Sequence, residues 1–241
     1  MTVLMIAAVI PAIYLMRYVY MHDRLEKEPA KLLIKLVLLG VLSTLGAIIT
    51  EMIGFNVLGY VFYEGSLPYL IISNFLIIAL SEEGFKYLLL KLATWKNKEF
   101  NCQFDGVVYA VFVSLGFALW ENIQYVFSYG LATALVRAIT AVPGHACFGV
   151  MMGAWYGLAK KYDVQGDAEK SKHYRRLALL TPVLLHGTYD FAATISNTFG
   201  MILFIVVVVV MFWLCRRVLK VISANDTYLN NDPDFTYRDI K

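Results

Sequence analysis

PYLIISNFLIIALSEEGFKYLLLKLAT, residues Pro68 to Thr94, decides how this chain folds. The stretch is long enough to cross the roughly 30 Å of bilayer hydrocarbon as a helix, which takes about 20 apolar residues. Yet Glu82, Glu83 and Lys86 lie inside it. Ionisable groups at bilayer depth are costly, and they turn toward a bundle interior or a polar cavity, where they mark a site of function. The rest of the chain reads as a container for the hexapeptide Ser81–Lys86.

The composition supports that container. Of 241 residues, 59% are hydrophobic and 16% charged, against roughly 25% charged in soluble domains. The apolar residues fall into seven blocks: Val3–Met21, Leu32–Ile53, Pro68–Ala93, Gly106–Tyr129, Thr133–Ala159, Leu177–Ser196 and Met201–Leu214. The expected fold is all-α, a polytopic bundle of about seven transmembrane helices. Lys and Arg collect after the first, third, fifth and last blocks and are missing from the loops between. Cytoplasmic loops carry that excess, so the N-terminus is expected outside and the C-terminus in the cytoplasm. Residues 1–224 read as one transmembrane domain and 225–241 as a polar cytoplasmic tail. Pro11 suggests a kink, Pro143-Gly144 a kink or a local unwinding, and Asp163–His173 a polar loop. Cys102, Cys147 and Cys215 are scattered, with no zinc or disulfide spacing. The basic loops are accounted for by topology, and no nucleic-acid site is expected.

Four blocks carry polar groups near mid-depth. These are Glu82, Glu83 and Lys86, then Glu121 and Asn122, then Arg137 and His145, then His186 and Asp190. Residues four apart share a helix face. Glu82 can therefore pair with Lys86, and Asp190 can orient the imidazole of His186. Glu83 points about 100° away from Glu82, which assigns the two carboxylates different partners. Arg137 is expected to snorkel outward or to pair with a carboxylate such as Glu51. Each feature alone also has a structural explanation as an ion pair or a helix–helix hydrogen bond. Their meeting at one depth calls for a use.

The chemistry follows from the residue types. Two adjacent carboxylates cannot both carry charge cheaply in a low dielectric, so one becomes a proton carrier. Such a carboxylate takes a proton from water as a general base and returns it to a leaving amine. Histidine shares the water or stabilises an oxyanion. These are the parts of amide hydrolysis by activated water. The chain has no G-x-S-x-G, no H-E-x-x-H and no cysteine in a catalytic setting.

Glu82-Glu83-x-x-Lys86, Phe117-x-x-x-Glu121 and His186-x-x-x-Asp190 stand in order on separate helices. That pattern resembles the PrsW family of intramembrane proteases and, more distantly, the CAAX prenyl endopeptidase and bacteriocin-processing superfamily. Phe104-Asp105-Gly106 and Gly116-Phe117-Ala118 look like the same family. The resemblance implies a glutamate-type endopeptidase in a bacterial cell membrane that cuts membrane-anchored proteins. The expected substrate is an anti-sigma factor, cut on its extracytoplasmic side to begin a stress response. It makes Glu82 the water-activating base, Glu83 its second carboxylate and Lys86 the group that tunes their charge. Glu121, and His186 with Asp190, replace histidine and His/Asn-type positions of the wider superfamily. His145 supplies an imidazole from the fifth block, with Asn122 and Arg137 in support. No metal is expected on this route. Carboxylates and imidazoles also suit zinc, so a divalent-metal-dependent membrane protease is the nearest alternative. A proton-coupled membrane transporter is the alternative of another class, because buried acids and histidines also relay protons.

Overall fold

The computed structural model describes residues 2–229, and among them every long element is helical. There are seven long helices: α1 Thr2–His22, α2 Ala30–Val61, α3 Leu67–Thr94, α4 Asp105–Tyr129, α5 Leu131–Val164, α6 Ala168–Thr194 and α7 Thr198–Ala224. All except α6 are long and apolar enough to cross a membrane. The cationic first turns of α6 and its His186 and Asp190 dilute its apolar content.

Helix starts follow local chemistry. The Ser66 hydroxyl accepts from the Tyr69 N–H, with Pro68 in the first turn. The carboxylate of Asp167 caps α6 through Lys170 N–H, and the Asn197 amide oxygen caps α7 through Gly200 N–H. Such side chains satisfy backbone donors that the first turn leaves free. Because α5 runs to Val164 and Asp167 starts α6, the expected loop over Asp163–His173 shrinks to Gln165–Asp167. Pro11 lies within an unbroken α1.

The buried axis is α4, where every residue from Asp105 to Ala118 is shielded. Helices α1, α2, α3 and α5 pack around it. Apolar residues all round the helix fit that position. Two glycines let α2 and α4 touch backbone to backbone. A Cβ on Gly40 would strike the Val113 carbonyl oxygen, and one on Gly116 would strike that of Val37. Small residues at such crossings are how membrane helices gain close packing.

Two irregularities shape the bundle. Residues Ile72–Ala79 of α3 are wound as a π-helix, ending with Leu80 N–H donating to the Phe75 carbonyl. And α5 breaks at Thr140 (φ −121°, ψ −77°), dividing Leu131–Ile139 from Ala141–Val164. The break precedes Pro143, which sits in the first turn of the second piece, where proline is tolerated.

At the far end from Gly130, Asp105 takes two backbone N–H groups, those of Asn101 at 3.0 Å and Cys102 at 2.7 Å. This gives Phe104-Asp105-Gly106 a structural role as the start of the axis. The first tail residues lie on the same loop. Gln103 N–H donates to Thr227 O, Leu229 N–H donates to Asn101 O, and the Asp226 carboxylate accepts from Phe104 N–H. Residues 230–241 of the expected tail lie outside the described residues.

Three outcomes are expected. Gly116→Val should lower thermal stability in detergent by ~1–3 kcal/mol, since the Val37 carbonyl is backbone and cannot yield. Gly59→Ala, where a Cβ meets nothing, should leave it unchanged. Burial pushes the Glu28 carboxyl up to about 8 although Tyr109 donates to it at 2.8 Å. A carboxyl raised in the folded state binds its proton more tightly there, so its ionisation costs stability as pH rises from about 4.5 toward 8. Glu28→Gln should flatten that fall in a pH series of melting temperatures.

Candidate active site

The first turn of α3 after the π-helical segment carries Glu82 and Glu83, and the next turn carries Lys86. The Lys86 ammonium is fully buried and donates to Glu82 Oε2 at 3.0 Å and Glu83 Oε1 at 2.7 Å. It also donates to His145 Nδ1 at 3.2 Å, and it lies 3.8 Å above the Phe117 ring. The two carboxylates thus share a partner where the spacing assigned them different ones. The flexible lysine stem reaches the i−3 and i−4 positions together.

His145 bridges this group to α4. Because Lys86 donates to Nδ1, the ring proton sits on Nε2, which donates to Glu121 Oε2 at 2.9 Å. Arg137 grips the same oxygen at 2.8 Å, and its Nε donates to Asn122 Oδ1 at 3.0 Å. Asn122 in turn donates to the Ala8 carbonyl of α1 at 2.8 Å. Arg137 therefore neither snorkels nor pairs with Glu51. The break at Thr140 turns it inward, toward Glu121. The Ser114 hydroxyl donates to the His145 carbonyl at 2.6 Å, which fixes the first turn of the second α5 piece.

His186 enters from α6. Its Nδ1 lies 3.0 Å from Glu83 Oε1 and its Nε2 3.2 Å from Asp190 Oδ2. Asp190 orients the ring, as the four-residue spacing implies. Phe148 stacks on the imidazole at 4.6 Å and 18°. No motif around Phe148 marks that aromatic clamp. The His145 and His186 rings meet edge to face at 5.4 Å.

A cavity of about 600 Å³ opens against this cluster, lined by Glu82, Glu121, Arg137, His145, His186 and Asp190 among others. Glu83 and Lys86 do not line it; both are completely buried behind Glu82. Ligand atoms of Glu82, Glu83 and His145 all lie within 4.8 Å of one another, close enough to hold one metal ion. The second oxygen of Glu83, Oε2, is buried without a hydrogen-bond partner.

A family profile described as "PrsW family intramembrane metalloprotease" matches residues 28–215. The chain belongs to the PrsW family. It is a membrane-embedded protease. "Protease PrsW" of Clostridioides difficile is 36% identical over 215 residues, covering 87% of each chain. "Protease PrsW" of Bacillus subtilis is 35% identical over 194 residues, covering 79% of this chain and 83% of the relative. "Protease PrsW" of Oceanobacillus iheyensis is 35% identical over 197 residues, covering 82% and 86%. No solved structure matches this chain.

Within this PrsW chain six acids and imidazoles form one cluster: Glu82, Glu83 and His145 contact Lys86, and Glu121, His186 and Asp190 join through them. Lys86→Met should strand two buried carboxylates and cost ~3–5 kcal/mol of stability. Lys86→Met combined with Glu83→Gln should recover part of that loss. Thermal unfolding of the single and double variants in one detergent checks both.

Proposed function

We propose that this protease cleaves single-span membrane proteins by a metal-dependent route, with Glu82, Glu83 and His145 holding the ion. One observation carries the reading: two carboxylates and an imidazole present their ligand atoms within 4.8 Å of one another beside the cavity. These are donors that zinc takes. The unpartnered buried Oε2 of Glu83 is an acceptor that a cation would satisfy. The family description names a metalloprotease, in favour of this route over the metal-free one expected from the sequence. Because Lys86 already contacts all three donors, ligation requires the ammonium to release at least one of them.

When bound, such an ion supplies Lewis acidity and makes its water a nucleophile at neutral pH. The remaining work falls to side chains of this chain. Asp190 faces the cavity and holds His186 through Nε2, so the pair accepts the proton of the attacking water and passes it to the leaving amine. Glu83 and Phe148 fix the ring between them. Glu121, pinned by Arg137, holds the His145 ring by its Nε2 proton.

A second reading rests on the Lys86 contacts. The ammonium already compensates both carboxylates, and Glu82 faces the cavity. In that case Glu82 is itself the base, without an ion.

The substrate is proposed to be a single-pass protein of a bacterial cell membrane, such as an anti-sigma factor. A 600 Å³ cavity takes a few unwound residues and not a whole helix. The proposed orientation, N-terminus outside and C-terminus in the cytoplasm, is supported by the loop charges.

On either reading Glu82→Gln should lower cleavage of a co-expressed single-span substrate by at least ~100-fold while the protein stays inserted. Exhaustive chelation of the purified enzyme should abolish cleavage, and zinc should restore it. Full activity in enzyme shown by elemental analysis to be metal-free would select the Glu82-base reading.

A further inference from the structure

The charged groups of the cavity are paired, with one exception. Glu82 has Lys86 at 3.0 Å, Glu121 has Arg137 at 2.8 Å, and Asp190 has His186 at 3.2 Å. Glu51, on α2, has no ion-pair or hydrogen-bond partner among the described residues, yet it lines the same cavity. A carboxylate at membrane depth with no partner is a costly feature to keep without a use. The sequence offered Arg137 as its partner, but Arg137 is spent on Glu121 and Asn122.

Position adds a second observation. Glu51 also lines a shallow groove of about 420 Å³ on the outside of α2, with Ile48, Met52, Phe55 and Asn56. Ile48, Glu51 and Phe55 belong to both spaces, so they form the wall between the outer groove and the catalytic cavity. Met52 and Ile48 stand exposed on the bundle surface, where lipid or another helix must cover them. Glu51 is ten residues from the last residue of α2, Val61, or roughly 15 Å along the helix. That keeps it at the depth of the cavity, well inside the roughly 30 Å of hydrocarbon.

We infer that Glu51 is a specificity-determining residue: it pairs with a lysine or arginine of the substrate as a single-span segment lies in the groove beside α2 and feeds residues into the cavity. Charge complementarity selects this occupant. The groove is apolar, as the flank of a membrane helix requires. Its one carboxyl has no partner in this chain, and a lysine or arginine of a neighbouring span reaches it on a long flexible stem. A neutral or acidic residue there leaves Glu51 unpaired, so the difference between substrates is set by the penalty as much as by the attraction. This inference rests on the proteolytic reading of the site, and deepens it by naming a feature of the substrate.

The test separates binding from cleavage. The full chain carrying Glu82→Gln, with a benzophenone amino acid in place of Met52, is reconstituted in nanodiscs. Three synthetic single-span peptides are offered, identical but for Lys, Gln or Glu at the span position level with Glu51. The Lys peptide should cross-link about fivefold more than the other two. Glu51→Gln should level the three, Glu51→Asp should keep the order, and Glu51→Lys should turn the preference toward the Glu peptide. Equal cross-linking of the three peptides, no cross-linking of any, or a Lys preference that survives Glu51→Gln overturns the inference. Since the assay needs no turnover, a failure of the proteolytic reading shows separately, as intact Lys peptide after incubation with the Glu82 enzyme.

Discussion

A fully buried ammonium sets the terms for this molecule. Lys86 cannot shed its charge to water, so the bundle must bring acceptors to it. Two come from its own helix one turn away, a third is the His145 imidazole from α5, and the Phe117 ring of α4 faces it from 3.8 Å. Removing any one exposes the others to an unbalanced charge in a low dielectric. The demand propagates outward: His145 needs Glu121, Glu121 needs Arg137, and Arg137 is held by Asn122, which is tied to α1. A chain of polar contacts thus runs through four helices from a single lysine.

Such a chain holds only if the helices carrying it cannot slide. The Gly40–Gly116 crossing locks α2 against α4 by backbone contact, and α4 is buried on every side over its first half. The break at Thr140 serves the same end by a different means. It lets α5 present Arg137 from one piece and His145 from the next, so Glu121 is gripped from two directions at 2.8 and 2.9 Å. A straight helix would carry two residues eight apart more than two turns from each other.

Much of this was readable in the sequence because bilayer physics makes polar residues conspicuous. Apolar blocks revealed seven helices, and four-residue spacing revealed the Glu82–Lys86 and His186–Asp190 pairs. What stayed hidden depended on tertiary geometry. Nothing in Thr140 announces a break, while Pro143 nearby invites a wrong location for it. The reach of a lysine stem to two carboxylates at once is a matter of side-chain flexibility and not of helix phase. Glu121 captured Arg137 from Glu51 because of the bend in α5. The loop over Asp163–His173 looked long because its polar residues sit on helix ends that emerge from the apolar region. Phe148 was one aromatic among 15 phenylalanines, and only coordinates show it lying flat on His186.

The π-helical stretch Ile72–Ala79 bears on how this family can vary. Each turn there accommodates about one residue more than an α-turn, and the segment ends immediately before Leu80, which begins the turn carrying the two glutamates. The azimuth of those side chains is therefore set by a local surplus in the winding upstream. Losing one residue between Ile72 and Ala79 would let the segment relax to ordinary pitch while the flanking turns kept their register. Gaining or losing a residue after Leu80 would instead swing the carboxylates about 100° around the axis. Length changes are thus tolerable on one side of Leu80 and ruinous on the other, a boundary that a catalogue of conserved letters does not display.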